Sequence, residues 1–176
     1  VIDALFMMKD KIENDKILSS KLCQMFPFTK NKNRIVLVTG HRRENFGEGF
    51  ENICESLLEI SLSNKNVQIV YPVHLNPNVK KPVQKLLKGK DNIHLIEPQD
   101  YLSFSHLMLK SKIILTDSGG IQEEAISLKK PVLVMREFTE REEALKLGAV
   151  KLVGSSKKVI VNSVMELLSD SKKYKK

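Results

Sequence analysis

Tryptophan is absent from this sequence, and three tyrosines and seven phenylalanines bring aromatic residues to only 6% of its 176 positions. Surfaces that grip nucleic acid interleave aromatic and basic residues, so this scarcity argues against a nucleic-acid partner despite a formal net charge of +8. Cysteine is nearly absent as well. Cys23 and Cys54 form neither a metal-ligand spacing nor a disulfide framework. Both fall inside apolar helical patterns and read as reduced, buried thiols, which suits a reducing cytoplasm. No apolar run approaches the roughly 20 residues that a membrane-spanning helix needs. Internal repeats are also missing, and low complexity is confined to a lysine-rich end at 171–176.

What is present is an ordinary globular composition, 41% hydrophobic and 28% charged. A chain of this length buries roughly 70% of its extended surface, enough for a true core. The positive charge is largely lysine and reads first as a solvated surface, although an anionic small-molecule substrate would be drawn by the same potential. The chain starts at Val1 inside a hydrophobic, helix-like stretch and closes on a charged tail after another helix. These features suggest a piece of a longer protein.

From residue 34 onward, short β-branched runs predict strands at 35–38, 67–70, 92–95, 113–116, 132–135 and 151–153. Amphipathic segments at 50–62, 79–87, 102–110, 121–128, 140–147 and 159–168 predict helices between them. Strict alternation implies right-handed crossovers and a Rossmann-like α/β fold, a parallel sheet with helices on both faces. Asn31-Lys32-Asn33 reads as a linker, dividing an opening helical region at 1–30 from the α/β unit at 31–176.

Ligands in such sheets bind outside the carboxyl ends of the strands. After the first strand comes Thr39-Gly40-His41-Arg42-Arg43-Glu44-Asn45-Phe46-Gly47. Clustering His41, Arg42 and Arg43 there is costly unless an anion lies close, since arginine forks onto phosphate and histidine can carry charge near neutrality. The competing reading is a polar, solvated loop. After the second strand, Tyr71-Pro72-Val73-His74-Leu75-Asn76-Pro77 holds His74, which could face the cleft or simply anchor the loop. His94, inside a strand, and His106, inside a helix, read as structural.

Thr116-Asp117-Ser118-Gly119-Gly120-Ile121-Gln122-Glu123-Glu124 is the sharpest signal. Two glycines at a strand-to-helix turn let backbone amides approach a ligand, and the helix start favours an anion. The spacing matches neither the dinucleotide fingerprint nor the Walker loop. A diphosphate suits the turn, and Glu124, one turn on, could accept hydrogen bonds from ribose hydroxyls. The plainer reading is a capped turn with Ser118 as N-cap and Glu123 as a partner of the helix dipole.

The strings TGHRRENFG (39–47), YPVHLNPNV (71–79), TDSGGIQEEA (116–125) and PVLVMREFTEREEA (131–144) resemble those of the non-hydrolysing UDP-N-acetylglucosamine 2-epimerases. The resemblance runs from Val1 to about Gly154 and implies the C-terminal, nucleotide-binding half of a two-domain, GT-B-like fold, with the N-terminal domain and the family's closing segment absent. It assigns Ser118, Gly119 and Gly120 to the diphosphate, Glu124 to the ribose, and Gln99 and Phe104 to the uracil ring. Phe104 also fits plain core packing beside Leu107 and Met108. Arg141 would contact the nucleotide, His41 would be the active-site histidine beside the phosphates, and Arg136 would pair structurally. Phe138 departs from the family, where a small polar residue is expected, and so bears on the Arg141 loop.

The implied reaction interconverts UDP-GlcNAc and UDP-ManNAc by elimination of UDP and its re-addition with inversion at C2, without a metal or redox cofactor. It implies a homodimer, and a product consumed in polysaccharide biosynthesis. The alternative is a glycosyltransferase-type UDP-sugar-binding domain, which would share the sheet and the Gly-Gly helix start. A fragment of this kind should fold, bind UDP weakly and fail to epimerise, because the family's catalytic carboxylates lie in the other half. Glu44 is the one local candidate base, and Arg42 and Arg43 beside it should keep it ionised and make it a poor one.

Overall fold

Residues 35–38 and 113–115 are unbroken runs of Val, Ile and Leu, so neither side of these strands can face water. The computed structural model, which describes residues 2–29 and 34–169, buries them between two helical layers. The proposed linker at 31–33, Val1 and the lysine-rich end lie outside the described residues.

Six strands form one parallel sheet: β1 (Arg34–Thr39), β2 (Val67–Pro72), β3 (Ile93–Ile96), β4 (Ile113–Thr116), β5 (Val132–Val134) and β6 (Val150–Leu152). Their spatial order is β3-β2-β1-β4-β5-β6. The helices are α1 (Ile2–Asn14), α2 (Lys16–Met25), α3 (Glu48–Ser63), α4 (Pro77–Leu87), α5 (Tyr101–Lys110), α6 (Gly119–Ser127), α7 (Glu142–Lys146) and α8 (Lys157–Ser169). Every predicted strand is present to within two residues, and the Rossmann-like α/β class holds.

The strand period of two divides the core cleanly. Val36, Val38, Ile113 and Leu115 join Phe50, Ile53 and Leu57 of α3, Val83 of α4 and Val164 of α8 in one cluster. Ile35, Leu37 and Ile114 point the other way, onto Leu5 and Ile12 of α1, Leu22 of α2, Leu107 of α5 and Ala125 of α6. The opening residues therefore pack on the sheet's own core. They form two helices rather than the single one expected, because Asp15 accepts from Leu18 N–H at 3.0 Å and starts a second helix.

Two further expectations change. Cys54 is buried, and burial together with Glu51 and Glu55 pushes its thiol up to about 12, but Cys23 is only half-buried. The helix expected at 140–147 shortens to Glu142–Lys146, since Glu140 turns back to pair with Arg136 and Arg141 has left helical geometry. Among the described residues no helix is long and apolar enough to cross a membrane.

Candidate functional site

Because β1 and β4 are neighbours and their following helices, α3 and α6, cover opposite faces, the strand order reverses between them. A crevice opens at such a switch point. The loops after β1 and β4 meet there through buried polar contacts. Thr39 and Thr116 share a 2.6 Å hydrogen bond between their hydroxyls, and Thr116 Oγ1 also accepts from Ser118 N–H at 3.0 Å.

Asp117 holds the two loops together. Its side chain is fully buried, and Oδ2 accepts the backbone N–H groups of His41 and Arg42, each at 2.9 Å. Arg42 Nε donates to the Asp117 carbonyl at 2.8 Å. Arg42 is thus partly engaged in holding the loop, while Arg43 is exposed at the start of a 3₁₀ turn, Arg43–Asn45. Sequence pattern alone assigns Asp117 no role. The available signal was an acidic residue at the end of a wholly apolar strand, which needs donors to meet it.

His41, His74, Gln99 and Phe104 line one pocket of about 170 Å³, together with Thr39 and Gly40. The His41 and His74 rings stack with centroids 5.3 Å apart. His74 does both things proposed for it: it borders the pocket, and its Nδ1 accepts Asn76 N–H at 3.2 Å. Phe104 likewise borders the pocket while packing on the apolar cluster under α5. Gln99 donates to the Glu97 carbonyl at 2.7 Å. This volume falls below the roughly 300–1,000 Å³ of complete small-molecule sites, so the pocket holds only part of a nucleotide-sized ligand. A larger cleft of about 720 Å³ beside β3, lined by Phe28, Lys88 and His94 among others, contains none of the predicted residues.

Beyond the pocket lies the start of α6. Ser118 caps it, with Oγ 3.5 Å from Ile121 N–H and its carbonyl accepting Gln122 N–H. Among the described residues no hydrogen bond occupies the amides of Gly119 or Gly120. Arg141 reaches over this turn, its Nη2 3.3 Å from where a side-chain carbon on Gly119 would sit. The arginine is placed by Glu123, 2.7 Å from its Nε, and by Thr139, which accepts Arg141 N–H and donates to buried Gln122. Glu123 therefore serves the arginine as well as the helix end. Glu124 is buried in the second turn, and burial, reinforced by the charge of Glu123, pushes its carboxyl above the usual range.

Arg136 pairs structurally as expected. It is buried, donates to Glu44 at 2.8 Å and to Glu140 at 3.1 Å, and ties the loops after β1 and β5. The cation beside Glu44 is thus Arg136, where the flanking Arg42 and Arg43 had been expected to act. Phe138 is exposed and lies under the Arg136 guanidinium, 4.7 Å away, and leaves Arg141 on the glycine turn. His94 shares a 2.6 Å hydrogen bond with Gln68 and stacks on Phe28. His106 is fully buried against Phe26, and burial brings its ring down to about 4. Both are structural, and among the described residues no three His, Cys, Asp or Glu side chains gather to hold a metal ion.

Comparison with known proteins gives a consistent result. A family model described as UDP-N-acetylglucosamine 2-epimerase matches residues 1–176. The UDP-N-acetylglucosamine 2-epimerase of Salmonella typhimurium is 56% identical over 174 residues, covering 99% of this chain and 46% of that protein. The chain spans about half the length of the curated relatives it matches. The crystal structure of UDP-GlcNAc 2-epimerase from Neisseria meningitidis bound to UDP-GlcNAc superposes with a TM-score of 0.95 at 50% identity, over 99% of this chain and 47% of that one. The Methanocaldococcus jannaschii enzyme in complex with UDP-GlcNAc and UDP superposes at 0.80 with 31% identity, over 97% and 47% of the two chains. A glycosyltransferase of lipopolysaccharide biosynthesis, 17% identical with a TM-score of 0.66 over 89% and 43%, shares the fold alone.

Proposed function

The chain belongs to the UDP-N-acetylglucosamine 2-epimerase family, and from that premise we propose that it is the UDP-binding half of an enzyme interconverting UDP-GlcNAc and UDP-ManNAc. The observation that carries this reading is the open start of α6, where the amides of Gly119 and Gly120 are unengaged among the described residues and Arg141 reaches over Gly119. Backbone donors, the positive helix end and a guanidinium together suit a diphosphate.

In the proposed arrangement Ser118, Gly119, Gly120 and Arg141 hold the diphosphate. Glu124 takes the ribose hydroxyls, and Gln99 and Phe104 frame the uracil. His41, with Arg42, Arg43 and His74 near it, faces the sugar side. Elimination of UDP builds negative charge on the departing phosphate, and donors already aimed there stabilise it without reorganising. Exchange at C2 needs a base on one face of the sugar and an acid on the other. Glu44, engaged by Arg136, is poorly placed for either role. We assign both to a second domain, joined through residues 1–30 to the nucleotide-binding unit at 31–176. We also propose a cytoplasmic homodimer whose product enters polysaccharide biosynthesis.

The test uses full-length enzyme with UDP-GlcNAc in heavy water. Deuterium should enter C2 without any acceptor, whereas a glycosyltransferase would need one and a binding module would give no exchange. His41→Ala should lower turnover by about 10²–10³-fold, as loss of a charge-stabilising group does. Unchanged turnover would remove His41 from the site.

A further inference from the structure

The nucleotide reading leaves the burial of Asp117 unexplained. A carboxylate shut away from water has to be met by donors. Oδ2 is met twice, by the amides of His41 and Arg42. Oδ1 has no hydrogen-bond partner among the described residues, and it lies 3.5 Å from Nδ1 of the His41 ring. The His41 side chain is 47% exposed and borders the pocket, while Asp117 behind it is 0% exposed. One carboxylate thus approaches both the backbone and the ring of the same histidine. An ionised carboxylate only accepts, so it favours a proton on the ring nitrogen beside it.

We infer that Asp117 is a positioning residue for His41: Oδ2 fixes the loop, and Oδ1 receives the Nδ1 proton of the ring, so that Nε2 is the nitrogen offered to the substrate. The inference rests on the reading of His41 as substrate-facing. A closing movement of about 0.6 Å would bring the pair to the usual N–H···O distance of about 2.9 Å. Contacts of this kind are often long in the free enzyme and tighten in the complex. Against a diphosphate, Nε2 has to donate, so the ring then carries two protons, with its charge between Asp117 and the ligand. Arg42, bonded to the Asp117 carbonyl, opposes that charge, whereas His74, stacked on the ring, accepts Asn76 N–H at Nδ1 and so is the neutral neighbour. Tyr71, whose hydroxyl donates to the Gly40 carbonyl, is buried and held neutral well above its ordinary range. Asp117 offsets the repulsion between the charged ring and Arg42.

Nitrogen-15 NMR of His41 in the free chain reads the tautomer directly. The expected neutral form carries its proton on Nδ1, and a ring protonated on Nε2 alone would overturn the inference. Asp117→Asn keeps an acceptor for the two amides but turns an amide N–H₂ toward the ring, so the neutral form should switch to Nε2–H. In the full-length enzyme Asp117→Asn should lower kcat by about 10–10³-fold with KM within about threefold, since a misoriented histidine chiefly harms the reacting state. On a His41→Ala background the same change should cost less than about twofold, because its partner is already gone. An equal loss on both backgrounds would make Asp117 merely structural and overturn the inference. Should Asp117→Asn fail to fold, the wild-type tautomer still decides. Absence of epimerisation in the wild-type enzyme would defeat the proposed function, yet leave the tautomer of His41 as an independent test.

Discussion

Two of the helices that begin with a side-chain cap at the carboxyl end of this sheet, α4 after β2 and α6 after β4, differ in what their first turns leave open. At α4, Pro77 has no N–H to give, Asn76 Oδ1 accepts Asn78 N–H at 2.9 Å, and the Asn76 carbonyl takes the amides of Val79 and Lys80. The first turn is consumed by the chain itself. At α6, Ser118 occupies only Ile121 and Gln122, which leaves the two glycine amides open with Arg141 over Gly119. Both helices carry the same dipole. The difference lies in unspent donors, in the absence of side chains over them, and in a guanidinium held above by Glu123 and Thr139. A helix start becomes a site when its amides are open and a second charge faces them.

The comparison breaks most severely at Gly119. Its new Cβ in Gly119→Val would sit 3.3 Å from Arg141 Nη2, and the branched methyls would cover the amides. Losing two charge-assisted hydrogen bonds at about 1.5–3 kcal/mol each predicts UDP binding weaker by at least about 100-fold in calorimetric titration. A variant that binds UDP within threefold of wild type would remove the turn from the site.

Arg141→Ala should have a smaller effect, because the amides and the dipole remain. About 1.5–3 kcal/mol for one charge-assisted contact corresponds to roughly 10–150-fold weaker UDP binding. The side chain is a third exposed and its ion pair with Glu123 lies at the surface, so thermal stability should change by less than about 1 kcal/mol. Arg141→Lys should recover only part of the affinity, since a point charge cannot fork onto two phosphate oxygens.

Local sequence carried the strands well, because Ile35–Val38 and Ile113–Leu115 can only be buried on both sides, and it carried the glycine turn because Gly119-Gly120 has few other uses at a strand end. It carried less where a residue answers to a distant partner. Asp117 bonds amides 75 and 76 residues earlier in the chain, a distance over which no periodicity speaks. The short α7 is a similar case: Glu140 continues a helical pattern in sequence, but Arg136 takes it out of the helix. Asp15 split the opening helix by capping it within a run of polar and charged residues that gave no periodic signal. Site assignments therefore came from motif and resemblance, while the support behind them, Asp117, Gln122 and Thr139, emerged only in three dimensions.

The smallest expected effect on ligand binding sharpens the comparison from the other side. Replacing Pro77 and Asn78 together by glycine gives α4 the same Gly-Gly start as α6. Dipole and glycine alone would then predict a second anion site. Open approach and an opposing cation, however, are still missing at α4: the Asn76 carbonyl continues to hold the amides of Val79 and Lys80, and the nearby ring, His74, spends its Nδ1 on Asn76 N–H. Titration should therefore give one UDP site with affinity within about twofold of wild type, a difference of about 0.4 kcal/mol. Glycine in a first turn, and the loss of a proline preset for that position, should cost the fold about 1–2 kcal/mol, read as a lower urea midpoint at unchanged slope. Two UDP equivalents bound by this variant would show that a bare helix start is enough, and that Arg141 is incidental to the site at α6.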